Sequence, residues 1–220
     1  MALRDILAGI EPESIPFPAS RLYAALTGSR LFQDFYRIVA RQVRDRLPAG
    51  RVLDIGTGPG RLPVLIAGES PLLQVTGLDL SPDMVKLARQ KAEARGLKNV
   101  AFRQGSAAEL PFADGEFDLA VSTLSFHHWK QPEKALDEVY RVLRSGGEAW
   151  IYDVPHRIDP IAWEYLRRKY GFLRPWLFRL HAFEEPFYTQ REVGQIASES
   201  RFPKREITYT LIAYKLILYK

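Results

Sequence analysis

The sequence has no cysteine among its 220 residues. This absence excludes disulfide bonds, cysteine-ligated zinc and a thiolate nucleophile. Histidine is scarce as well: the chain has 4, and their scatter around the adjacent pair His127 and His128 indicates no metal site. We therefore expect no metal cofactor, and a chain without disulfides fits the cytoplasm as its location.

Long apolar runs are also absent, because no stretch approaches the ~20 uncharged residues that a membrane span needs. The first residues carry an acid, Asp5, and lead to Pro12, Pro16 and Pro18 in place of an apolar signal core. We expect neither a membrane span nor a secretion signal, whereas attachment to a membrane surface stays open.

The charge balance shows only a small excess of one sign, with 31 Lys and Arg against 26 Asp and Glu and a formal net charge of +5. Both signs are mixed along most of the chain, which favours a mildly basic, solvated surface over a nucleic-acid-binding patch. Hydrophobic residues make up 46% of the chain, enough for one sizeable core. The length favours a single domain.

The centre of the chain alternates strand-like and helix-like blocks. Strands are predicted at 51–55, 74–80, 99–104, 117–122 and 148–154, with helices between them up to about 67, over 82–95 and over 132–143. Residues 189–200 look helical, and 206–218 form one or two strands of a closing hairpin. We therefore expect an α/β fold, with a doubly wound, mostly parallel, seven-stranded Rossmann-like sheet and an antiparallel C-terminal edge strand.

We expect the single domain, 1–220, to have four parts. Residues 1–47 would form an N-terminal helical cap, 48–154 the ligand-binding core, 155–190 a helical substrate lid, and 191–220 the C-terminal helix and edge strands. The lid segment combines an apolar, aromatic stripe with basic residues. A helix that lies on a membrane surface or on nucleic acid therefore stays open as its alternative role.

A glycine-rich segment, Asp54-Ile-Gly56-Thr-Gly58-Pro-Gly60, directly follows the first predicted strand. Glycines let the backbone turn tightly and lie against a ligand in the cleft at the carboxyl ends of the strands. The dinucleotide fingerprint G-x-G-x-x-G offers free N–H groups to a pyrophosphate. Here the third glycine comes one residue early and Pro59 lacks an N–H. The loop therefore favours a ligand without phosphates over NAD.

An acidic residue, Asp79, ends the second predicted strand, 19 residues after Gly60. This spacing is close to the ~20 residues typical of an acid that binds ribose hydroxyls. A carboxylate can accept both hydroxyl protons of the sugar. Capping of the next helix is the alternative role, but Ser81 can provide that cap. We therefore predict that Asp79 holds a ribose.

Five segments in order resemble the motifs of the class I S-adenosylmethionine-dependent methyltransferases. They are 54–60, Asp79, 105–112, 117–122 and 141–147, and the resemblance covers roughly residues 52–153. Within the family, the chain is most similar to small-molecule methyltransferases of ubiquinone and menaquinone biosynthesis. The resemblance implies transfer of a methyl group from S-adenosylmethionine to a small-molecule acceptor, with S-adenosylhomocysteine as the product.

The resemblance also implies which residues hold the cofactor. Asp54 would anchor its ammonium group, Asp79 its ribose, and Leu80 and Met84 would pack on its adenine. The remaining expected cofactor contacts are Gly56, Thr57, Gly58 and Gly60 around the methionine part, Ser106 and Ala107 at the adenine, and Thr123 and Leu124 at the sulfur. Ser106 stands where the family often has an aspartate for the adenine amino group, so we expect a weaker contact there.

The adjacent His127 and His128 follow the fourth predicted strand and would face the cleft. Methyl transfer from a sulfonium is an in-line displacement in which alignment is the main task. An acceptor with an acidic O–H or N–H also needs a base, and histidine titrates near neutrality. The pair is our candidate catalytic group, with a structural role in the loop as the open alternative.

An aromatic lid would suit a hydrophobic or aromatic acceptor. The fourth strand is not followed by the motif Asp/Asn-Pro-Pro-Tyr/Phe, which would resemble the motif of enzymes that methylate amino groups of nucleic acids. We therefore do not expect a nucleic-acid substrate.

The alternative function is a non-catalytic S-adenosylmethionine-binding module that acts with RNA or a partner protein. The sequence gives no signal for the oligomeric state.

Overall fold

The computed structural model describes residues 30–155, 159–171, 187–209 and 213–220. The strands in these residues are β1 (Gly50–Ile55), β2 (Leu73–Asp79), β3 (Val100–Gln104), β4 (Phe117–Thr123), β5 (Leu143–Asp153), β6 (Lys204–Tyr209) and β7 (Tyr214–Tyr219). The helices are α1 (Arg30–Arg46), α2 (Arg61–Glu69), α3 (Pro82–Glu93), α4 (Pro132–Val142), α5 (Pro160–Tyr170) and α6 (Gln190–Glu199), with one 3₁₀ turn at Phe126–His128.

The strands form one seven-stranded sheet in the order β3-β2-β1-β4-β5-β7-β6. Strands β1 to β5 run parallel, and β7 is antiparallel to both of its neighbours. The chain winds outward from β1 to β3 and then returns to β4 on the other side of β1, which creates the switch point where ligand clefts form. The predicted fold class is confirmed. The antiparallel strand β7 is not itself the edge strand, because β6 pairs with it on the outer side.

Apolar side chains cover both faces of the sheet. On one face, Val52 and its neighbours pack against α1, α2 and α5. On the other face, Leu53 and its neighbours pack against α4 and α6. Successive residues of β1 therefore belong to different clusters, as the alternation of side chains along a strand requires.

The predicted start of α3 is confirmed in atomic detail. The Ser81 hydroxyl accepts the Met84 N–H at 3.4 Å, and Pro82 occupies the first turn. Both features satisfy or remove N–H groups that a helix start leaves without partners. They fix the position of α3 directly after the end of β2.

The sequence analysis placed Ser145-Gly146-Gly147 between a helix that ends at 143 and a strand that begins at 148, and the structure differs at this point. Helix α4 ends at Val142 and β5 begins at once with Leu143, so the glycines lie inside the strand. The pairing of β4 with β5 shifts register here. A Cβ at Gly147 would lie 2.9 Å from the Arg144 carbonyl oxygen, so glycine allows this irregular stretch to remain in the sheet.

The predicted N-terminal cap and lid lie partly outside the described residues, which omit 1–29, 156–158 and 172–186. The described part of the lid includes α5, which packs Leu166 and Tyr170 into the same cluster as α1. The Tyr170 hydroxyl also donates to Asp34 Oδ2 at 2.7 Å. The four-part division stays a prediction. Within the described ranges, no helix is long and apolar enough to cross a membrane.

A buried lysine on β7 helps to join the sheet to α1. The Lys215 Nζ donates to Gln42 Oε1 at 3.1 Å and lies 3.3 Å from the centre of the Trp150 ring. The Tyr152 hydroxyl donates to the same Gln42 oxygen at 2.6 Å. Burial lowers the pKa of Lys215 to about 8, against a smaller opposing effect of Glu148.

We predict that the substitution K215M changes how stability depends on pH. Because the folded-state pKa is about 8 and the ordinary value 10.5, the unfolded chain binds this proton more tightly. The free-energy cost of burying the charged amine is fully present below pH 8 and disappears as the pH rises to 10.5. K215M does not have this cost, so the stability of wild type should rise relative to that of K215M by about 3 kcal/mol across this pH range. Urea unfolding at several pH values measures this difference.

The exposed Lys86 on α3 provides the control, since K86M should follow the wild-type curve at every pH. Parallel pH dependences for K215M and wild type would contradict the burial of a charged amine.

Candidate active site

A cavity of about 340 Å³ opens at the carboxyl ends of β1, β2 and β4. Of the residues that we predicted to form the site, those in its wall are Gly56, Gly58, Asp79, Leu80, Met84, Ser106, Ala107, Leu124 and His128. The others are buried and lie within two residues of a wall residue in the sequence: Asp54, Thr57, Gly60, Thr123 and His127. The fold therefore gathers three predicted motifs and the histidine pair around one cavity.

The glycine loop, residues 56–60, uses its N–H groups within the protein. Gly56 and Thr57 both donate to the Leu78 carbonyl oxygen at 2.9 Å, and Gly60 donates to the Thr57 carbonyl oxygen at 3.0 Å. These bonds tie the loop to the end of β2. They leave Gly58 as the remaining donor of the loop, since Pro59 has no N–H.

The Asp79 carboxylate takes that remaining donor. Its Oδ2 accepts the Gly58 N–H at 2.7 Å, and its Oδ1 accepts the Ser81 N–H at 2.9 Å. Burial raises the pKa of Asp79, while the two N–H groups oppose the rise. Each oxygen keeps a further acceptor position for a ligand hydroxyl. With every loop N–H engaged, the loop offers no donor set for a pyrophosphate, which supports the prediction against NAD.

Gly56 lies where the loop contacts the segment after β4. Its φ is +71°, and a Cβ there would collide with the Ser125 Oγ. This hydroxyl accepts the Trp129 indole N–H at 3.1 Å and lies 3.3 Å from the Ser122 Oγ. Ser125 and Trp129 also line the cavity, and the sequence analysis missed both. A small residue at 56 is therefore required for the two loops to meet.

Asp54 is buried behind the glycine loop with 1% of its surface exposed. Neither carboxylate oxygen has a hydrogen-bonding partner among the described residues. Burial is the main reason that the pKa of Asp54 is raised to about 7; the nearby Thr57 hydroxyl opposes the rise, and the charge of Asp79 adds to it. An unpaired buried carboxylate is costly, so a cation placed beside it would be strongly favoured.

Ser106 serves its own loop. Its hydroxyl accepts the Ala108 N–H at 3.2 Å, and Ser106 forms an isolated bridge with Glu109. Ala107, Ala108 and Glu109 line the same side of the cavity. The hydroxyl is therefore already engaged, which agrees with the expected weak side-chain contact to a ligand at this position.

The histidine pair divides into a buried and an accessible member. His127 is 8% exposed, and its Nδ1 lies 2.8 Å from Asp153 Oδ1 and 2.9 Å from Oδ2. His128 lies in the cavity wall, and the two ring centres are 4.0 Å apart. Among the described residues, no group of three or more potential ligands could hold a metal ion.

Asp153 is the functional candidate that the sequence analysis missed most clearly. It ends β5, the strand that lies beside β4 in the sheet. The same reasoning that selected Asp79, an acid at the carboxyl end of a parallel strand, could have selected it. Ser125 has no comparable signal, because its role depends on the close approach of Gly56.

Comparisons with known proteins agree with this geometry. Residues 53–151 match the protein family described as "Methyltransferase domain". A crystal structure from Methanococcus maripaludis, provisionally assigned to the S-adenosylmethionine-dependent methyltransferases, superposes with a TM-score of 0.75 at 24% identity over 96% of each chain. The sequence similarity therefore covers the middle of the chain, where residues 53–151 resemble methyltransferase domains, and the superposition shows that the fold is shared.

The chain also resembles enzymes that are named for menaquinone and ubiquinone biosynthesis. It is 43% identical to the demethylmenaquinone methyltransferase of Thermus thermophilus over 105 residues, which are 48% of this chain and 47% of that enzyme. The match therefore spans about half the length of the curated relative. A phosphoethanolamine N-methyltransferase from Haemonchus contortus, solved with S-adenosylmethionine, shares the fold with a TM-score of 0.66 at 22% identity over 94% of this chain and 46% of that chain.

We predict that G56A destabilises the protein more than an ordinary glycine substitution at positive φ. Gly96 is the matched control, because its φ is +64° but a Cβ there meets nothing within 4 Å. G96A should cost about 1–2 kcal/mol for the backbone alone. G56A should cost more, since the Ser125 hydroxyl must also move. Urea unfolding gives both values.

The second half of the test uses S125G, which removes the colliding hydroxyl and also the Ser125 Cβ, 2.5 Å from the added Cβ. In that background the cost of G56A should fall to that of G96A. Equal costs for G56A and G96A in the wild-type background would show that the two loops do not meet as closely as described.

Proposed function

We propose that this chain transfers the methyl group of S-adenosylmethionine to a small-molecule acceptor in the cavity at the carboxyl ends of β1, β2 and β4. One observation carries the proposal: the cavity is bounded by a glycine loop without spare N–H donors and by Asp79, while the unpaired carboxylate of Asp54 lies behind it. This combination suits a ligand with a ribose and an ammonium group but no phosphate.

The residues present fit that cofactor part by part. Asp54 would accept the ammonium group, directly or through water, and Asp79 the ribose hydroxyls. Leu80 and Met84 would pack on the adenine, with Ser106 and Ala107 at its edge. The other residues assigned to the cofactor are Gly56, Thr57, Gly58 and Gly60 around the methionine part, and Thr123 and Leu124 at the sulfur.

The bound sulfonium would supply an activated methyl group, and the protein would supply alignment. Leu124 adopts a φ of +55°, and its N–H donates to the Tyr152 carbonyl oxygen at 2.8 Å. This bond holds the residue against the cavity in a backbone conformation that costs free energy. His127 and His128 are the candidate base for an acceptor that loses a proton as it is methylated.

The acceptor is proposed to be hydrophobic or aromatic. The wall contains the Trp129 ring, and Phe187 packs 4.5 Å from the His127 ring. Relatives named for demethylmenaquinone include those of Thermus thermophilus and Porphyromonas gingivalis. The lid role of 155–190 and a cytoplasmic location belong to the same proposal.

We predict that D79N weakens the binding of S-adenosylhomocysteine by ten- to a hundred-fold. The substitution removes the charged acceptor of the ribose hydroxyls, and hydrogen bonds to charged groups contribute about 1.5–3 kcal/mol each. Isothermal titration calorimetry measures the dissociation constant. D83N, at an exposed position of α3, is the matched control and should bind like wild type. Unchanged affinity in D79N would sink the ribose assignment.

We also predict that S-adenosylhomocysteine binds more weakly as the pH falls below about 7. The free protein holds the pKa of Asp54 near 7, and only the ionised form attracts the ligand's ammonium group. Well below that pH, the dissociation constant should rise by about tenfold per pH unit. D54N should bind weakly with a flat profile over this range. A wild-type-like profile in D54N would contradict the assignment.

Turnover is tested by a screen for release of S-adenosylhomocysteine from S-adenosylmethionine. The acceptors should include short-chain demethylmenaquinols and simple phenols. Histamine, which has an amine and no phenolic hydroxyl, serves as the comparison. We expect turnover with a quinol or phenol. Tight binding of S-adenosylhomocysteine without turnover of any acceptor would favour the binding-module function, and binding of NADH in its place would overturn the cofactor assignment.

A further inference from the structure

A buried carboxylate next to the histidine pair has no part in the chemistry described so far. Asp153 is 1% exposed and ends β5 at the edge of the sheet that carries the cavity. Its Oδ2 accepts the His127 N–H at 2.8 Å, and its Oδ1 accepts the Val154 N–H at 2.8 Å. The carboxylate therefore accepts two backbone hydrogen bonds, one from the turn after β4 and one from the residue that follows it.

The position of the His127 ring determines where the ring carries its proton. Its Nδ1 faces both oxygens of Asp153, at 2.8 and 2.9 Å. An ionised carboxylate can only accept hydrogen bonds, so Nδ1 must be the protonated nitrogen. His127 is therefore held in one tautomer and one orientation.

The contact between the two rings extends this constraint to the cavity. His128 lies in the cavity wall, and its ring centre is 4.0 Å from that of His127. Tyr188 and Tyr214, the titratable groups near Asp153 on the neighbouring segment and on β7, both have a raised pKa because of burial and stay neutral near neutral pH. The buried carboxylate beside the ring pair is that of Asp153. The charged groups in the cavity wall with His128 are exposed and stay the same in every variant below: Glu109, Lys130 and Lys134.

We infer that Asp153 is a positioning residue, which fixes His127 as the Nδ1–H tautomer and, through that ring, raises the basicity of His128 at the cavity wall. The inference rests on the proposed function. When an acidic acceptor attacks the methyl group, its proton passes to His128, the carbon–sulfur bond breaks and its electron pair stays on sulfur. The acceptor thus gains a methyl group and loses a proton, which His128 later releases to water.

The first test needs no acceptor. The chain has 4 histidines, so ¹⁵N-labelled imidazole signals can be assigned with H127Q and H128Q. In the wild-type protein we expect His127 to be protonated at Nδ1 at every pH from the acid limit of folding to pH 9. A His127 protonated only at Nε2 would overturn the inference whatever the variants show.

The second test compares D153N with wild type in the same titration. Loss of the carboxylate should weaken the proton affinity of His128 by about tenfold. D118N is the matched control, because Asp118 also accepts a backbone N–H, that of Arg51 at 2.6 Å, but lies at the opposite end of β4. D118N should leave both histidine titrations unchanged. An unchanged His128 titration in D153N would also overturn the inference.

The pH profile of kcat/KM gives an independent readout once the screen has identified an acceptor. A weaker base shifts the acid limb to lower pH and lowers the plateau, so D153N should show both changes, and D153E should restore part of the shift. If D153N lowers the plateau of the pH profile but leaves its acid limb at the same pH, the role of Asp153 is purely structural. If no acceptor is found, the proposed function fails on turnover while the two titrations still decide the role of Asp153.

Discussion

The hydrogen bonds of the Asp79 carboxylate hold the site together. One oxygen accepts the Gly58 N–H and the other the Ser81 N–H, so a single side chain joins the glycine loop after β1 to the start of α3 after β2. Both segments follow parallel neighbouring strands, and their relative position would otherwise depend on backbone contacts alone. The carboxylate that is proposed to hold the ribose therefore also builds the wall around it.

Local sequence patterns predicted the parallel half of the fold, because each unit there is continuous in the chain. The strand β1, the loop after it and the cap of α3 depend on neighbouring residues such as Gly60, Ser81 and Pro82. The C-terminal half was harder, since β7 enters the sheet between β5 and β6 through pairs such as Trp150 with Ile217. Nothing local indicates that order, and the strand predicted from 148 begins at Leu143 in the structure, with the glycines inside it.

The same division applies to the site. Spacing along the chain identified Asp79, whose partners lie on adjacent elements, and it identified the histidine pair from its place after β4. It could not assign the two histidines different roles, because His127 receives its partner from β5, 26 residues later. Ser125 became visible only when Gly56 was brought against it. Contacts between strands that are distant in sequence decide these roles.

The buried charged groups separate the scaffold from the ligand site. Lys215 has Gln42 and an aromatic ring, and Asp153 has two backbone N–H groups and an imidazole, so both groups have partners within the protein. Asp54 has no such partner among the described residues. A buried, uncompensated carboxylate costs several kcal/mol. The fold can retain it at that cost because β1 and its apolar neighbours bury a large core around it, and a ligand cation that compensates the charge recovers part of the cost as binding free energy. The Asp54 carboxylate, which has no hydrogen-bonding partner among the described residues, is for this reason the strongest structural argument for an ammonium-bearing ligand.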